Sequence, residues 1–370
     1  MNQQYFLSQA ENLEEKIQKK IAFLLTAKKT YIYGTSTLAD ISYHGLNKIG
    51  VRVSGFINDS IEEQKCKKQG LFIACLESVP KDSIIVISVL EKSCLIVKKL
   101  QEKGYDHYIE YAYLHFYSSE IFYIPYTIFS EIMRYSYLDI IKNLDKYEIL
   151  EKKLQEERSK KVLQEILHYR VTLDSLHFYE IKEQEEQYFD KNIIGLTNEE
   201  VFVDCGAYDG EVTKKFIEKT NHQYQKIFLL EPDPSLFQQA RDNLQHQEKI
   251  VFLNKGVYHK NGTCFFQATG NTSGCISKLG QIRIETIRLD DVIKEKITFV
   301  KMDIEGSESE ALEGMKELIQ QHKPKMAIAI YHKPEDLWKI PEYIHSLRED
   351  YALFIRNYTF SIPETILYCI

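Results

Sequence analysis

The feature that most constrains this chain is the stretch VFVDCGAYDGEVTKKFIEK, residues 201–219, which joins a short apolar run to an amphipathic segment. The first three residues predict a buried strand, and a helical pattern begins near Glu211. Gly206 and Gly210 fall in the turn between strand and helix, where a residue without Cβ lets backbone N–H groups approach a ligand closely. Such a strand–turn–helix unit predicts an α/β fold with a small-molecule site at the carboxyl end of a sheet.

Two carboxylates in this turn indicate the charge of the ligand. Acidic side chains would repel a pyrophosphate, but they suit a ligand that carries a cationic amino acid group. S-adenosylmethionine (SAM) has an ammonium and a sulfonium, so we predict SAM as the cofactor. The residues that we expect to contact it are Asp204, Gly206, Ala207, Asp209 and Gly210. The alternative is an ordinary tight turn of an α/β protein.

Further polar residues follow predicted strands at the same sheet edge. The residues that end a predicted parallel strand are Asp204, Glu231, Asp303 and His332. The carboxylate of Glu231 could accept two hydrogen bonds from a ribose diol, and its alternative role is to begin the next helix. Asn254 and Val257 lie where the adenine edge is expected. We therefore predict one crevice lined by these residues.

The segment KMDIEGSE, residues 301–308, places acids opposite the predicted methyl donor. Asp303 and Glu305 could orient an acceptor hydroxyl, act as a base, or hold a divalent cation such as magnesium, although no residue is assigned as a metal ligand. The alternative is an acid cluster that favours the start of a helix. His332 is a third catalytic candidate because imidazole titrates near neutral pH, and its alternative role is structural.

The first part of the chain, residues 1–125, alternates strands and helices and predicts a small parallel sheet. Gly34 before a helix and Asp59 after the next strand resemble half of a dinucleotide fingerprint. The further glycines of that fingerprint are absent, which favours a structural or acceptor-recognising role over a cofactor site. The aromatic-rich stretch 105–125 is explained either by packing between domains or by a platform on which sugars stack.

The remaining segments complete the predicted organisation. Residues 126–190 read as a helical connector, which could alternatively pair as a coiled coil and make a homodimer. Residues 191–370 resume the alternation, with added strands around a loop at 269–274 and a final antiparallel ribbon. We thus predict a Rossmann-like methyltransferase domain, with a mostly parallel sheet and an antiparallel last strand, after a smaller Rossmann-like α/β domain.

Composition excludes several functional classes. A net charge of -7 gives no electrostatic footprint for nucleic acid, and seven scattered cysteines form no C-x-x-C pair. The polar amino terminus is unlike a signal peptide, and no apolar run approaches the roughly 20 residues of a membrane span. We expect a cytoplasmic protein that has no nucleic-acid partner and no membrane span.

Several segments carry a family resemblance. They are QYFD (187–190), FVDCGAYDG (202–210), LEPD (230–233), TIRLDDV (286–292), VKMDIEGSE (300–308), KPKMAIAIYHKPEDL (323–337) and ETILYC (364–369). In this order they resemble the FkbM family of SAM-dependent methyltransferases, and the first and last of them also resemble members that carry an extra amino-terminal domain. The resemblance implies a class I methyltransferase fold and methyl transfer to a hydroxyl, often of a sugar or polyketide. It assigns Asp204, Gly206 and Glu231 to donor binding, and Asp303 and Glu305 match the D-x-E-G motif.

The predicted function is therefore SAM-dependent O-methylation of a sugar or glycan precursor in polysaccharide biosynthesis, with a small-molecule or glycan acceptor. Two alternatives remain at this point. One is a nucleotide-sugar oxidoreductase that uses the amino-terminal sheet, and the other is a non-catalytic module of glycan assembly. Binding of SAM or of NAD would distinguish the first two hypotheses, and binding of neither would favour the third.

Overall fold

The computed structural model describes residues 3–125, 127–267, 275–276, 280 and 282–370, so the predicted loop at 269–274 lies outside the described residues. The chain divides into two compact units. The first comprises Met1–Glu148, Lys161–Lys182 and Thr359–Pro363, and the second comprises Ile149–Lys160, Glu183–Tyr358 and Glu364–Ile370. The predicted helical segment 126–190 is thus shared between the two units.

The first unit is built on a six-stranded sheet with the order β3-β4-β2-β1-β5-β6. The strands are β1 (Thr30–Tyr33), β2 (Val53–Ile57), β3 (Lys67–Lys68), β4 (Leu71–Ala74), β5 (Ile84–Ile87) and β6 (Tyr108–Glu110). All neighbouring pairs are parallel except β3 with β4. The four-residue strand β5 is buried along its whole length, as expected for a central parallel strand.

In the described part of the chain, eight α-helices precede residue 201, where the first strand of the second unit begins. They are α1 (Gln3–Glu11), α2 (Leu13–Leu25), α3 (Thr37–Lys48), α4 (Ser93–Glu102), α5 (Tyr111–Tyr117), α6 (Thr127–Lys153), α7 (Glu157–Thr172) and α8 (Leu176–Tyr179). The amphipathic pattern of residues 9–27 predicts a single helix, but in the structure the helix is interrupted at Asn12. The Asn12 side-chain amide donates to the carbonyl oxygen of Ser8 at 2.8 Å and shares this acceptor with the Asn12 N–H, which donates to it at 3.2 Å.

The partial dinucleotide fingerprint of the first unit is engaged by the unit's own residues. Gly34 has a φ of +118°, and its N–H donates to the carbonyl oxygen of Ile57 at 2.9 Å. The carboxylate of Asp59 accepts hydrogen bonds from Tyr33 Oη at 2.8 Å and from Lys99 Nζ at 2.6 Å. The side chain that would bind a ribose in a cofactor site therefore has partners within the unit.

The aromatic stretch 105–125 contributes mainly to packing within the first unit. Tyr105, Tyr111, Tyr113 and Phe122 are buried, so their ring faces are not available to a sugar. The hydroxyl of Tyr105 donates to the carbonyl oxygen of Val79 at 2.9 Å. Packing therefore explains these four rings better than a platform for sugar stacking.

The second unit contains a seven-stranded sheet with the order β16-β17-β15-β14-β7-β8-β9. Its strands are β7 (Val201–Cys205), β8 (Lys226–Leu230), β9 (Ile250–Leu253), β14 (Phe299–Met302), β15 (Lys325–Ala329), β16 (Leu353–Asn357) and β17 (Thr365–Cys369). The five strands from β15 to β9 are parallel, and β17 runs antiparallel to both β15 and β16. This confirms the predicted mostly parallel sheet with an antiparallel end.

A smaller sheet of the second unit has the order β10-β13-β11-β12. Its strands are β10 (Gly256–Val257), β11 (Gly262–Gln267), β12 (Cys275–Ile276) and β13 (Ile282–Ile287). The helices of this unit are α9 (Glu211–Lys219), α10 (Pro234–Asn243), α11 (Leu289–Val292), α12 (Glu308–Glu313), α13 (Lys316–His322) and α14 (Asp336–Leu347). Among the described helices, none is both long and apolar enough to cross a bilayer.

Two predicted elements of the second unit are interrupted. The apolar pattern of residues 250–258 predicts one strand, but β9 ends at Leu253 and the next strand, β10, belongs to the smaller sheet. The pattern of residues 308–320 predicts one helix, but the structure divides it into α12 and α13 at Gly314, where a Cβ would lie 2.1 Å from the carbonyl oxygen of Tyr258. Close contact with that loop explains a glycine in the middle of a helical pattern.

Candidate active site

A cavity of about 310 Å³ lies at the carboxyl ends of β7, β8 and β14 in the second unit. Its walls come from the turns that follow these strands, from the start of β10, and from Tyr188, Tyr331 and Glu364. The predicted site residues that line it are Gly206, Ala207, Asp209, Glu231, Val257, Asp303 and Glu305. Four other predicted residues, Asp204, Gly210, Asn254 and His332, lie behind the walls or support them.

Gly206 allows two strand-end turns to approach each other. Its φ is +78°, and a Cβ at this position would lie 1.9 Å from the carbonyl oxygen of Asp303. The N–H groups of Gly206 and Ala207 both donate to the carbonyl oxygen of Leu230 at 3.0 Å. The sequence predicted that these N–H groups face a ligand, but the structure shows that the end of β8 already occupies them.

Gly210 has a structural position at the start of the following helix. Its φ of +86° is in the left-handed region, and it immediately precedes α9. A Cβ here would lie 2.9 Å from Leu244 Cδ1. The second glycine of the turn therefore sets the path of the chain and the packing against α10, since Leu244 ends that helix.

Asp204 is fully buried beneath the cavity wall and is paired within the protein. Its Oδ2 accepts a hydrogen bond from Thr213 Oγ1 at 2.7 Å, and its Oδ1 lies 3.2 Å from Lys301 Nζ. The sequence predicted that Asp204 contacts the cofactor directly, but its buried carboxylate is directed to these partners and not to the cavity. Asp204 instead compensates the charge of a buried ammonium.

Lys301 is a site residue that the sequence analysis missed. It lies in β14 between apolar residues, and its Nζ donates to the carbonyl oxygens of Cys205 and Gly206 as well as facing Asp204. Burial opposes its charge, but Asp204 and Asp303 outweigh burial and raise the pKa of Lys301. A lone lysine inside an apolar strand was the signal that could have identified it.

Glu231 follows β8 and faces the cavity from a buried position, with 6% of the residue exposed. Its Oε1 accepts from the Asp233 N–H and its Oε2 from the Tyr208 N–H, both at 2.9 Å. Burial raises the pKa of Glu231 to about 7 against the effect of these two donors. Each oxygen retains accepting capacity, so the group could still receive the hydroxyls of a ligand.

Asn254 and Val257 have different positions. The side-chain amide of Asn254 donates to the carbonyl oxygen of Glu231 at 2.8 Å and to that of Pro232 at 3.2 Å. Asn254 thus holds the turn after β8, and it does not line the cavity. Val257 does line the cavity as a buried apolar residue, which suits contact with a flat heterocycle.

The predicted catalytic residues come together on the far side of the cavity. His332 Nε2 lies 3.4 Å from Asp303 Oδ1 and 3.6 Å from Glu305 Oε2. Glu305 adopts a φ of +57°, which is unusual for a residue with a Cβ, and Gly306 follows at +92°. The structure therefore confirms that these three residues are neighbours, while their roles remain predictions.

Several neighbours of this cluster were not identified from the sequence. Tyr188 Oη donates to Asp303 Oδ2 at 2.5 Å, and Tyr331 Oη lies 3.3 Å from the same oxygen. Glu308 Oε1 lies 2.9 Å from His332 Nδ1 and accepts from the Ile304 N–H at 2.9 Å. All three lie inside segments that carry the family resemblance, but no pattern of spacing distinguishes them from their neighbours there.

The cluster is electrostatically acidic. Burial raises the pKa of Glu305 to about 8, and it raises the pKa of Glu364, which also lines the cavity. Burial lowers the pKa of His332, but Glu308 and the other carboxylates outweigh it and raise that pKa to about 10. This side of the cavity therefore holds more carboxyl groups than cations, which favours a ligand or ion of positive charge.

Comparisons with known proteins bear on both the domain and the fold. A family described as "Methyltransferase FkbM domain" matches residues 204–362. The crystal structure of the methyltransferase FkbM from Methylobacillus flagellatus KT superimposes with a TM-score of 0.76 at 22% identity. That likeness covers 99% of this chain and 98% of the other, and it concerns the fold alone.

Two curated relatives match parts of the chain. The 2-O-methyltransferase NoeI of Sinorhizobium fredii (strain NBRC 101917 / NGR234) is 26% identical over 32% of this chain and 58% of its own length. The hexuronic acid methyltransferase AglP of Haloferax volcanii is 29% identical over 25% of this chain and 43% of its own length. The chain spans about half the length of these relatives. From the family match and the sheet order together, residues 204–362 form a methyltransferase FkbM domain.

Proposed function

We propose that this protein transfers a methyl group from SAM to a hydroxyl of a sugar or glycan precursor. The observation that carries the proposal is the cavity of about 310 Å³ inside the FkbM domain, with Glu231 on one side and Asp303 and Glu305 on the other. Its volume falls at the lower end of the range of small-molecule sites, roughly 300–1,000 Å³. Carboxylates at both ends suit a ligand with a ribose diol and cationic groups.

The donor would be held by residues of the turns after β7 and β8. Glu231 would accept hydrogen bonds from the ribose hydroxyls, which are neutral donors to an ionised acceptor. Val257 would contact the adenine, and Asp209 would attract the positive end of the methionine moiety. Asp204 and Gly210 would act indirectly, by fixing the turn through Lys301 and through the start of α9.

The acceptor would enter on the side of Asp303, Glu305 and His332. When bound, SAM supplies an activated methyl group, so orientation of the acceptor oxygen contributes much of the rate. Asp303 and Glu305 line the cavity and could orient the hydroxyl and take its proton directly. Alternatively these residues could bind a divalent cation such as magnesium that favours loss of the proton.

The name of one curated relative, a hexuronic acid methyltransferase, supports an acceptor of the carbohydrate class. The other relative is a 2-O-methyltransferase. We extend to this chain only the coarser feature that is common to both, which is methylation, and we propose a sugar hydroxyl as its target.

Labelled SAM tests this proposal. The full-length protein would be incubated with methyl-labelled SAM and a panel of free sugars, nucleotide sugars and glycans. Transfer of label to a carbohydrate is expected, and the Glu231→Ala variant should reduce it by lowering donor affinity. Absence of SAM binding at millimolar concentration would contradict the proposal.

An oxidoreductase that uses the first unit is not favoured. Asp59, which would contact the ribose of a dinucleotide, is bound by Tyr33 and Lys99. Calorimetry with NAD should therefore show no binding, whereas SAM should bind. We also propose the cytoplasm as the compartment and a homodimer as an assembly state, both of which rest on the sequence patterns described above.

A further inference from the structure

Three side chains with metal-binding atoms converge beside the cavity. One ligand atom from each of Asp303, Glu305 and His332 lies within 4.8 Å of the other two. Separations of this size between ligand atoms allow one small cation to contact all three, because typical metal–ligand bonds are about 2.0–2.2 Å long. The first two residues line the cavity, so an ion held here would be open to it.

The histidine is oriented toward the two acids by a fourth residue. Glu308 Oε1 lies 2.9 Å from His332 Nδ1, which favours a proton on that nitrogen. Nε2 then faces Asp303 Oδ1 at 3.4 Å and Glu305 Oε2 at 3.6 Å, and a bound cation would take the place of a proton on this nitrogen. A carboxylate on the far nitrogen of a metal-binding histidine is a recurrent arrangement, since it fixes the tautomer and the ring direction.

The two acids are also held by their surroundings. Tyr188 donates to Asp303 Oδ2 at 2.5 Å, which leaves Oδ1 directed to His332. Glu305 has a backbone conformation that side chains with a Cβ seldom adopt, with a φ of +57°. Strained residues of this kind persist at ligand sites, where the surrounding structure enforces a functional direction.

An independent observation is that the histidine lacks a hydrogen-bond partner. His332 is 3% exposed, and within the described residues neither ring nitrogen has a partner of hydrogen-bond geometry, although Glu308 Oε1 lies 2.9 Å from Nδ1. A buried polar atom left without a partner costs about 1–3 kcal/mol. A ligand bound at Nε2 would explain why an imidazole occupies this buried position.

We infer that Asp303 Oδ1, Glu305 Oε2 and His332 Nε2 bind one divalent cation. Two oxygen ligands and one imidazole nitrogen suit Mn²⁺ or Fe²⁺ better than Mg²⁺ or Ca²⁺, which prefer oxygen alone. Three protein ligands leave positions open toward the cavity. The function of the ion rests on the proposed methyl transfer, where it would bind the acceptor hydroxyl and favour loss of its proton.

Mn²⁺ is the probe for this site because free Mn²⁺ gives a strong electron paramagnetic resonance signal that is lost on binding. Chelator-treated full-length protein should bind one Mn²⁺ per chain, and Glu305→Gln should weaken binding by at least about tenfold. Asp303→Asn should have the same effect. The matched control is Glu313→Gln, which removes one negative charge from an exposed position of α12 and should bind Mn²⁺ as the wild type does.

The outcomes separate this inference from the proposed function. If the wild type binds SAM but takes up no Mn²⁺ below about millimolar concentration, or if Glu305→Gln and Glu313→Gln bind Mn²⁺ equally, the metal site is wrong. SAM binding by both variants in the presence of chelator would show that they are folded. Failure to bind SAM, with Mn²⁺ bound by the wild type and lost in Glu305→Gln, would instead leave the site standing and remove methyl transfer.

Discussion

At the scale of single residues, the salt bridge beneath the cavity should be the most sensitive polar contact for stability. Lys301→Met would leave the carboxylate of Asp204 buried without its cation, a change that costs about 3–5 kcal/mol. Urea unfolding followed by circular dichroism measures the loss. The double variant Lys301→Met/Asp204→Asn should recover part of it, whereas equal stability of wild type and Lys301→Met would contradict the structural role.

Glu231 should make donor affinity depend on pH. Burial raises its pKa to about 7, so the charged form that accepts ribose hydroxyls becomes populated as the pH rises from 6 to 8. SAM affinity should therefore increase over this interval. In Glu231→Gln it should be weaker by about tenfold at pH 8, which corresponds to ~1.4 kcal/mol, and nearly independent of pH.

Calorimetry with SAM at pH 6, 7 and 8, in the presence of a chelator, measures both effects. The control is Asp242→Asn, which removes a carboxylate from the exposed side of α10 and should keep the wild-type dependence. A wild-type affinity that falls as the pH rises, or a Glu231→Gln variant that keeps the increase, would remove Glu231 from ribose recognition.

The sequence identified residues that end strands, but not those that act through the sheet. Glu231, Asp303 and Glu305 follow apolar runs directly, and the cavity is where the rule for parallel strands places them. Lys301 and Asn254 work through contacts with neighbouring strands and turns, which no local pattern reveals. Asp204 was correctly placed at a strand end, yet its partner determines which way the carboxylate faces.

At the scale of elements, the turn after β7 should tolerate no side chain at its first glycine. Gly206→Ala would place a Cβ 1.9 Å from the carbonyl oxygen of Asp303, in addition to the strain of a φ of +78°. Gly104→Ala is a matched control, because Gly104 has a φ of +70° but nothing within 4 Å of its added Cβ.

Both variants share the backbone strain, so their difference measures the collision. Gly206→Ala should lose at least ~2 kcal/mol more unfolding free energy than Gly104→Ala, and it should bind SAM more weakly. Comparable destabilisation of the two variants in urea unfolding would mean that the turns after β7 and β14 do not approach as closely as described.

The positions of most parallel strands along the chain were predictable, while several interruptions were not. Buried parallel strands are marked by short apolar runs, and most of these coincide with β1, β5, β7, β8, β14 and β15. The division between α12 and α13 depends on a distant loop that contacts Gly314, and the end of α1 coincides with a side-chain bond of Asn12. Such contacts arise only in the folded chain.

At the scale of the whole molecule, the stability of the first unit should depend on a buried acid far from the cavity in sequence. Glu110 accepts from Ser93 Oγ at 2.5 Å and from the Ser175 N–H at 3.2 Å. Burial raises its pKa from the usual 4.5 to about 7, and Asp174 adds repulsion. The stability linked to this group is complete below pH 4.5 and is lost as the pH rises through 7.

Glu110→Gln should remove that loss, since an amide does not ionise and Ser93 can reverse its hydrogen bond. Between pH 5 and 8 the unfolding free energy of wild type minus that of the variant should fall by up to ~3 kcal/mol. The unfolding free energies are measured by urea unfolding at each pH. If those of wild type and variant change with pH in the same way, Glu110 does not carry the proton.

The division into domains was only partly accessible from the sequence. The alternation of strand and helix patterns in the sequence marks the two sheets. Helices α6 and α7, however, each contribute residues to both compact units. The boundaries 1–125, 126–190 and 191–370 therefore remain predictions about folding units.

The most direct test of the central claim is a crystal structure of the protein with S-adenosylhomocysteine, which is the product that remains after SAM has lost its methyl group. The account predicts the ribose hydroxyls within hydrogen-bond distance of the Glu231 carboxylate, and the sulfur facing Asp303 and Glu305 across the cavity. A ligand bound elsewhere, or a cavity that stays closed at saturating ligand concentration, would contradict it.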